Sequence, residues 1–510
     1  MTIVALPLAD QHALKDCQPA KNVECRAMTI NHLDAHLARR REWRKEHGVA
    51  ASRRRRRNRY FHSLVDRLVA SQVVRESRIL DLGCADGATL RACQPSVGVG
   101  VDIDAETASL TSSDEDSAGI VFVESPVEYL RATPLPDPDY VIMSMLLDEV
   151  YDVQHVLAQV HDWSTRRTRL VIVTYSRLWR PFLRLAEILR LKNRAAGENY
   201  VPWAEVENML ALEAFEVTKR LDGILLPFPI PVLSQIVNRW LAPLPLLRAL
   251  SLVRVTVARR MQQKPEPLPA VSIVVAARNE SGHINELIER VPIIAERQEL
   301  IFVEGNSTDD TWHVIKRAVD DYTGDPRMTL HALQQPGKGK GDAVRAGFQT
   351  ATGDILMILD ADISVQPEEL RRFVEALRDD FCEFANGSRL VYPMDAKAMR
   401  FLNLLGNKFF GYLFSYLLGQ PVRDTLCGTK VLRRSDYERL AANKTVFGDF
   451  DPFGDFDLLF GASYLGLRIR DVPVHYKERR YGETNISRFS HGALLLKMSA
   501  VAARKLKFVG

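Results

Sequence analysis

Short apolar runs recur along this chain, each broken by a turn rich in glycine or acids and followed by an amphipathic stretch. In the first half the runs are Arg78–Leu82, Val97–Val101, Asp139–Met143 and Leu170–Thr174. Runs of this length, bounded by turn signals, predict buried strands, and helical periodicity between them predicts crossover helices. One such helix is predicted over Pro181–Leu191, with its proline where a first helical turn leaves the missing N–H unneeded. Glu216–Lys219 and Leu252–Arg259 predict two more strands. The segment Met261–Pro269 is polar and carries Pro265, Pro267 and Pro269, which predicts a stiff spacer and a domain boundary. Beyond it the alternation restarts. Strands are predicted at Val271–Ala276, Leu300–Val303 and Asp354–Asp362, with helices at Ile284–Arg290 and Ala343–Phe348. Strands alternating with helices predict parallel sheets, so the chain reads as two α/β domains. Their expected bounds are 59–260 and 270–510, joined by a Pro-rich linker at 261–269 and preceded by a basic arm at 1–58.

Composition narrows the class. At 510 residues the chain exceeds one ordinary domain, and 46% hydrophobic with 26% charged residues is a soluble, core-forming balance. Its six cysteines are scattered, and neither Cys-x-x-Cys nor His-Glu-x-x-His occurs, which argues against zinc and disulfide frameworks. No basic stretch precedes an apolar leader, so a reducing, cytoplasmic setting is expected. A formal charge of +4 does not argue for nucleic acid. The basic clusters Arg39–Arg41 and Arg53–Arg57 are either an anchor for anionic headgroups or a solvated arm. They lack the interleaved aromatic residues of a nucleic-acid platform, and no nucleic-acid partner is expected.

No run of roughly 20 apolar residues predicts a spanning helix. Three stretches come near. Ile224–Val253 is apolar but broken by prolines, and its residues leave open a segment lying in a membrane surface, a face for the other domain or a core insertion. Phe401–Leu418 and Leu494–Leu506 set aromatic or aliphatic residues beside lysine or arginine, which suits peripheral membrane contact or a core.

Candidate chemistry sits at the strand ends. Arg78–Gly87 is a strand running into a tight glycine turn, and Asp102 closes the next strand. Small residues there let backbone approach a ligand, and such an acid can take both hydroxyls of a ribose. In the second half a strand ends in Asp360-Ala361-Asp362. Two acids so close call for a hard cation, Mg²⁺ or Mn²⁺, whose other positions a diphosphate can fill. Glu280 and Glu304 end two further strands, where they can bond a base and a ribose. The loop Gly337–Gly341, with Lys338, Lys340 and the following Asp342, brings N–H groups and ammonium charge toward phosphate.

These residues carry two resemblances. The first half resembles class I S-adenosylmethionine-dependent methyltransferases: Asp81–Gly87 matches the glycine-rich first motif, and Asp102 the ribose-binding acid. Ala85 stands where glycine is more usual. The resemblance implies a Rossmann-like fold that binds S-adenosylmethionine through Asp81, Gly83, Ala85, Gly87 and Asp102. The second half resembles family-2 glycosyltransferases of GT-A fold, closest in motif to polyprenyl-phosphate (dolichol-phosphate) mannosyl and glucosyl synthases. Ala276–Glu280, with Ala277, Arg278 and Glu280, matches the first nucleotide motif. Glu304 keeps the acid of the second motif, and Asp360-Ala361-Asp362 matches the metal motif. Gly387–Arg389 and Asp424–Lys430 resemble later phosphate- and acceptor-side motifs. The resemblance implies metal-dependent, inverting transfer from a nucleoside-diphosphate sugar to a lipid-linked or other glycan acceptor.

Asp455, then Asp457, are candidates for a general base, or else helix caps. Arg389, Asp424, Arg480 and Arg488 are candidates for the acceptor or phosphate side. The expected protein is a bifunctional transferase, peripheral on the inner face of the cell membrane. The alternatives are a glycosyltransferase with a purely binding first domain, and a non-enzymatic scaffold.

Overall fold

The computed structural model describes residues 33–42, 58–104, 119–130, 132–188, 201–262, 269–392, 401–443, 455–477 and 488–508, with the side chains of 177, 401–405, 455 and 488–494 excepted. The Arg53–Arg57 cluster, linker residues 263–268 and Arg480 fall outside these. The chain divides into two compact units, one running to Met261 and taking in Phe508–Gly510, the other Gln262–Lys507.

The strands of the first unit are β1 (Arg78–Leu82), β2 (Val97–Asp102), β3 (Ile120–Glu124), β4 (Tyr140–Ser144), β5 (Arg169–Tyr175), β6 (Phe215–Gly223) and β7 (Val253–Arg260). They form a seven-stranded sheet in the order β3-β2-β1-β4-β5-β7-β6. β7 alone runs antiparallel to its neighbours. Central strands of such a sheet are covered on both faces, and Ile79, Leu80 and Leu82 are accordingly fully buried. Ahead of the sheet, a helix over 33–42 turns Arg40 inward, where it meets Glu149 at 3.0 Å and Glu128 at 3.5 Å. That member of the basic cluster is therefore part of the packed unit and offers nothing to a headgroup.

The second unit repeats the plan with β8 (Val271–Ala277), β9 (Gln298–Glu304), β10 (Met328–Gln334), β11 (Ile355–Asp360), β12 (Phe384–Ser388), β13 (Lys430–Arg433) and β14 (Ile469–Pro473). Its order is β10-β9-β8-β11-β13-β12-β14, with β13 antiparallel to both neighbours. Val271, Ile273, Phe302, Met357, Leu359 and Phe373 centre its core. The helix Phe401–Leu418 is two-faced: Phe414 is buried against Phe456 and Phe460, while Phe409 and Tyr412 are exposed. The last helix, Arg488–Leu506, buries Leu495, Met498, Ala502 and Leu506. Among the described residues no helix is long and apolar enough to cross a membrane.

Candidate functional site

In the second unit, strand register brings the candidate residues to one edge. Asp360 of β11 lies opposite Ala276 of β8, Ala277 opposite Glu304 of β9, and Glu304 opposite Gln334 of β10. Because β13 runs the other way, its first residue, Lys430, arrives at the same edge opposite Asn386 of β12. The order of the sheet reverses between β8 and β11, and ligands of open α/β sheets bind at such a crevice.

Asp360 pairs with Lys340 at 2.7 Å. Burial pushes the Asp360 carboxyl up, but Lys340, Arg389 and Lys430 outweigh it and hold the group below the ordinary carboxylate range. Asp362 is half-buried and accepts the Ser364 amide at 3.0 Å. Ile363, between them, has a φ of 53°, a costly conformation for a β-branched residue, and its side chain is buried in the core. An isolated bridge pairs Val365 with Tyr476, which carries the Tyr476 ring in beside the acids. The Arg389 guanidinium lies 4.9 Å from the centre of that ring. Burial raises the Tyr476 hydroxyl above its usual range, with Asp362 and Asp360 adding to the rise and Arg389 opposing it.

Arg389 is locked in place. Its Nε and Nη2 donate to the two carboxylate oxygens of Asp424 at 2.7 and 2.8 Å, and its amide donates to Asp424 Oδ2 at 2.9 Å. Asn407 adds a bond to Asp424 Oδ1 at 2.8 Å. Burial works against the Asp424 charge, yet Arg389 holds its carboxyl down at about 2. Asp424, expected on the acceptor side, is fully buried and fixes the arginine instead.

The nucleotide-side residues are similarly cross-braced. Arg278 and Lys338 are exposed. Glu280 is buried, takes His283 Nδ1 at 2.8 Å, and has its amide on Thr311 Oγ1. Glu304 is buried and accepts the Ser307 amide. Asn279, which has a φ of 57° that asparagine tolerates, accepts the Thr308 amide at 2.8 Å and ties the two loops together. Thus both glutamates expected to meet base and ribose have carboxylate oxygens engaged inside the protein. Asp342 folds the lysine loop back by accepting the Gly337 amide at 2.7 Å.

Asp455 opens the helix Asp455–Tyr464, and Asp457 lies half-buried one residue beyond Phe456. Arg488 opens the last helix. The side chains of Asp455 and Arg488 lie outside the description.

Two residues not chosen from the sequence stand out. A Cβ at Gly428 would fall 2.2 Å from Asp360 Oδ2 and 2.4 Å from Lys340 Nζ, so any side chain there would displace that ion pair from its present place. Its signal was its place inside the Asp424–Lys430 motif. Tyr476 carries no such signal, since only the bridge to Val365 brings it in.

In the first unit the order reverses between β1 and β4. The turn after β1 uses left-handed backbone at Gly83 (φ 74°), Ala85 (φ 48°) and Gly87 (φ 70°). Asp102 ends β2 and accepts the Ala85 amide at 2.9 Å and the Asp104 amide at 3.1 Å. Asp81 is buried within β1, one strand across. The five residues expected around the methyl donor are thus gathered at one turn.

Among the described residues no group of three or more His, Cys, Asp or Glu is placed to hold a metal. A divalent ion at Asp360 and Asp362 would need few protein ligands, because Mg²⁺ is commonly held by one or two carboxylates together with substrate phosphates. Asp360 already holds a cation, the Lys340 ammonium.

Residues 272–441 match the family model for glycosyl transferase family 2, and residues 52–217 that for a methyltransferase domain. A dolichyl-phosphate hexose transferase of Haloferax volcanii is 27% identical over 228 residues, covering 44% of this chain and 91% of the relative. An undecaprenyl-phosphate 4-deoxy-4-formamido-L-arabinose transferase of Pseudomonas fluorescens is 26% identical over 257 residues, covering 48% and 70%. Among solved structures, the glucosyl-3-phosphoglycerate synthase of Mycobacterium tuberculosis with Mn²⁺, uridine diphosphate and glucosyl-3-phosphoglycerate superposes at 19% identity and a TM-score of 0.34, covering 47% of this chain and 80% of the other. A S-adenosylmethionine-dependent methyltransferase of Thermotoga maritima gives 14% identity and a TM-score of 0.31, covering 42% and 95%.

Proposed function

For a chain that joins a methyltransferase domain to a family-2 glycosyltransferase domain, we propose the transfer of a sugar from a nucleoside-diphosphate sugar to a polyprenyl-phosphate or other lipid-linked acceptor, with methylation in the same pathway. The observation that carries this is the edge at β11, where Asp360, Lys340, Arg389 and Gly428 converge at a switch point. The two relatives named above act, by their names, on dolichyl and undecaprenyl phosphates. In this reading the protein works at the inner face of the cell membrane, as a peripheral enzyme active on a surface glycan.

Asp360 and Asp362 would hold Mg²⁺ or Mn²⁺, which when bound neutralises the diphosphate and makes it a better leaving group. Lys340 then turns from Asp360 to the phosphate oxygens, a contact that Lys338 and the loop amides reinforce. Arg389, fixed through Nε and Nη2 by Asp424, presents its remaining N–H groups toward the same charge. Glu280, Glu304 and Asp342 hold the loops that shape the donor pocket. An acceptor phosphate is already ionised near neutral pH and attacks with little help, whereas an acceptor hydroxyl gives its proton to Asp455 or Asp457. Arg480 and Arg488 complete the acceptor side. In the first unit, Asp81, the Gly83–Gly87 turn and Asp102 would hold S-adenosylmethionine, with Asp102 suited to the ribose hydroxyls.

The test is a metal-supplemented screen of nucleotide sugars against polyprenyl phosphate, read by released nucleoside diphosphate. Metal-independent release, or release that survives Asp362→Ala, would overturn the glycosyl reading. For the methyl half, S-adenosylmethionine should raise the melting temperature, and methyl incorporation should be lost in Asp102→Ala. A thermal shift without incorporation would leave a binding module.

A further inference from the structure

The apolar surface of the first unit collects at one edge of its sheet. β5 ends at Tyr175 and β6 at Gly223, both opposite Val253, where β7 begins. β1, β4 and β5 are parallel, so the glycine turn after β1, the helix Arg180–Ile188 after β5 and the segment 224–252 after β6 all leave from that edge. The helix Arg180–Ile188 buries none of its residues, and Phe182 and Ile188 are 64% and 77% exposed. Trp179, just ahead of it, donates its indole N–H to Leu250 O at 2.7 Å and ties the helix to the end of the 224–252 segment.

That segment is built inside out. Ser234 and Asn238, one helical turn apart, are buried. Asn238 Oδ1 accepts the Leu225 and Leu226 amides, and its Nδ2 donates to Leu226 O and the Tyr60 hydroxyl. Ser234 Oγ donates to Phe228 O and accepts the Ile230 amide. Ile224, Ala242 and Leu252 are buried, but most apolar neighbours face out: Phe228 is exposed, Leu246 is 90% exposed, and Trp240 stays 46% exposed with its ring 5.3 Å from that of Phe508. Folding in water selects the opposite arrangement, with the apolar stripe inward. The segment is held in this form by satisfied hydrogen bonds, so its outer face is made for an apolar environment.

Charge says which environment. Between 224 and 252 there is no acid, and the only charged residues, Arg239 and Arg248, are exposed. Arg184 is exposed on the helix, whose one acid, Glu187, is half-buried. Arginine beside aliphatic and aromatic side chains suits the boundary between anionic headgroups and acyl chains, and tryptophan is favoured there. We propose that this edge of the first unit docks on an anionic lipid surface, so that the methyl acceptor is a lipid-borne molecule reached from that surface. The docking stands on these residues alone; the nature of the acceptor rests on the methyltransferase reading.

The test takes the full chain and sediments it with vesicles of phosphatidylcholine, with or without phosphatidylglycerol. Binding should be at least about tenfold tighter with the anionic lipid, and the double variant Phe182→Ser/Leu246→Ser should lose at least about tenfold. Both side chains lie outside the core, so the double variant should melt with the parent. Tyr412→Ser, the matching change in the second unit, should cost less than about threefold. Absence of vesicle binding, binding that survives the double variant, or a larger loss in Tyr412→Ser would each overturn the docking. A lower melting temperature with unchanged vesicle binding would make the patch a protein-packing face, and would also overturn it. Vesicle binding with no thermal response of the parent to S-adenosylmethionine would keep the docking and sink the acceptor clause.

Discussion

Both units bring a candidate site to the point where the order of a mostly parallel sheet reverses, β1 beside β4 in one and β8 beside β11 in the other. The two edges are furnished in opposite ways. At the second, charges are dense and held in pairs, Lys340 with Asp360 and Arg389 with Asp424. At the first, the turn is braced by one acid on backbone amides, and the surface beyond is apolar. The two proposed reactions would account for the contrast. Displacing a diphosphate builds negative charge on the leaving group, which fixed donors and cations stabilise. Methyl transfer from a sulfonium discharges a positive charge and needs closeness and exclusion of water more than counter-charge. In the proposed reading one topology serves two reactions, and the side chains at the edge decide which.

The sharpest way to break this comparison is to unlock the charged edge. Asp424→Ala leaves the Arg389 guanidinium buried without its carboxylate and should cost about 3–5 kcal/mol, read as a lower denaturant midpoint for the second unit only. The same pair gives a pH dependence. Asp424 is held at about 2, below the ordinary carboxylate value near 3.9, so its contribution is complete above about pH 4. It should fade as pH falls from there toward about 2, and acid titration of the second unit's unfolding should lose this slope in Asp424→Ala. Next in size, Asp362→Ala should lower metal-dependent release of nucleoside diphosphate by about 10²–10³-fold while leaving the thermal response to S-adenosylmethionine intact. Gly428→Ala puts a methyl group 2.2 Å from Asp360 Oδ2, shifting a carboxylate proposed to hold the metal, and should cost on the order of 100-fold in the same assay. The smallest effect belongs to the other edge. Ala85→Gly relieves a φ of 48° and should stabilise the first unit by about 1 kcal/mol, seen as a higher melting temperature. An unchanged or lower melting temperature in Ala85→Gly would show that the left-handed turn at Ala85 carries no strain.

Much of this was legible in the residue pattern. The helix expected at Ile284–Arg290 has those bounds, and the strand expected at Asp354–Asp362 runs Ile355–Asp360, closing at the first of its two acids. Apolar runs with polar ends report burial directly, whichever partner supplies it. What remained hidden was which polar groups face each other. Asp424 read as an acceptor-side residue because its motif was visible, but Arg389 lies 35 residues earlier and only the sheet brings them together. Glu280 and Glu304 read as ligands, yet His283 and Ser307 hold them inside. Tyr476 gave no warning at all.

The sequence by itself determined two α/β halves, the strand ends where their acids stand, and a glycine turn in which Ala85 is the odd member, because local periodicity and turn chemistry act over a few residues. Only the tertiary structure decided that Lys340 answers Asp360, that Asp424 is a brace, and that the 224–252 segment buries Ser234 and Asn238 while Trp240 and Leu246 face out. Periodicity tells that one face of an element differs from the other. Which face meets the core is settled by what the rest of the chain packs against it.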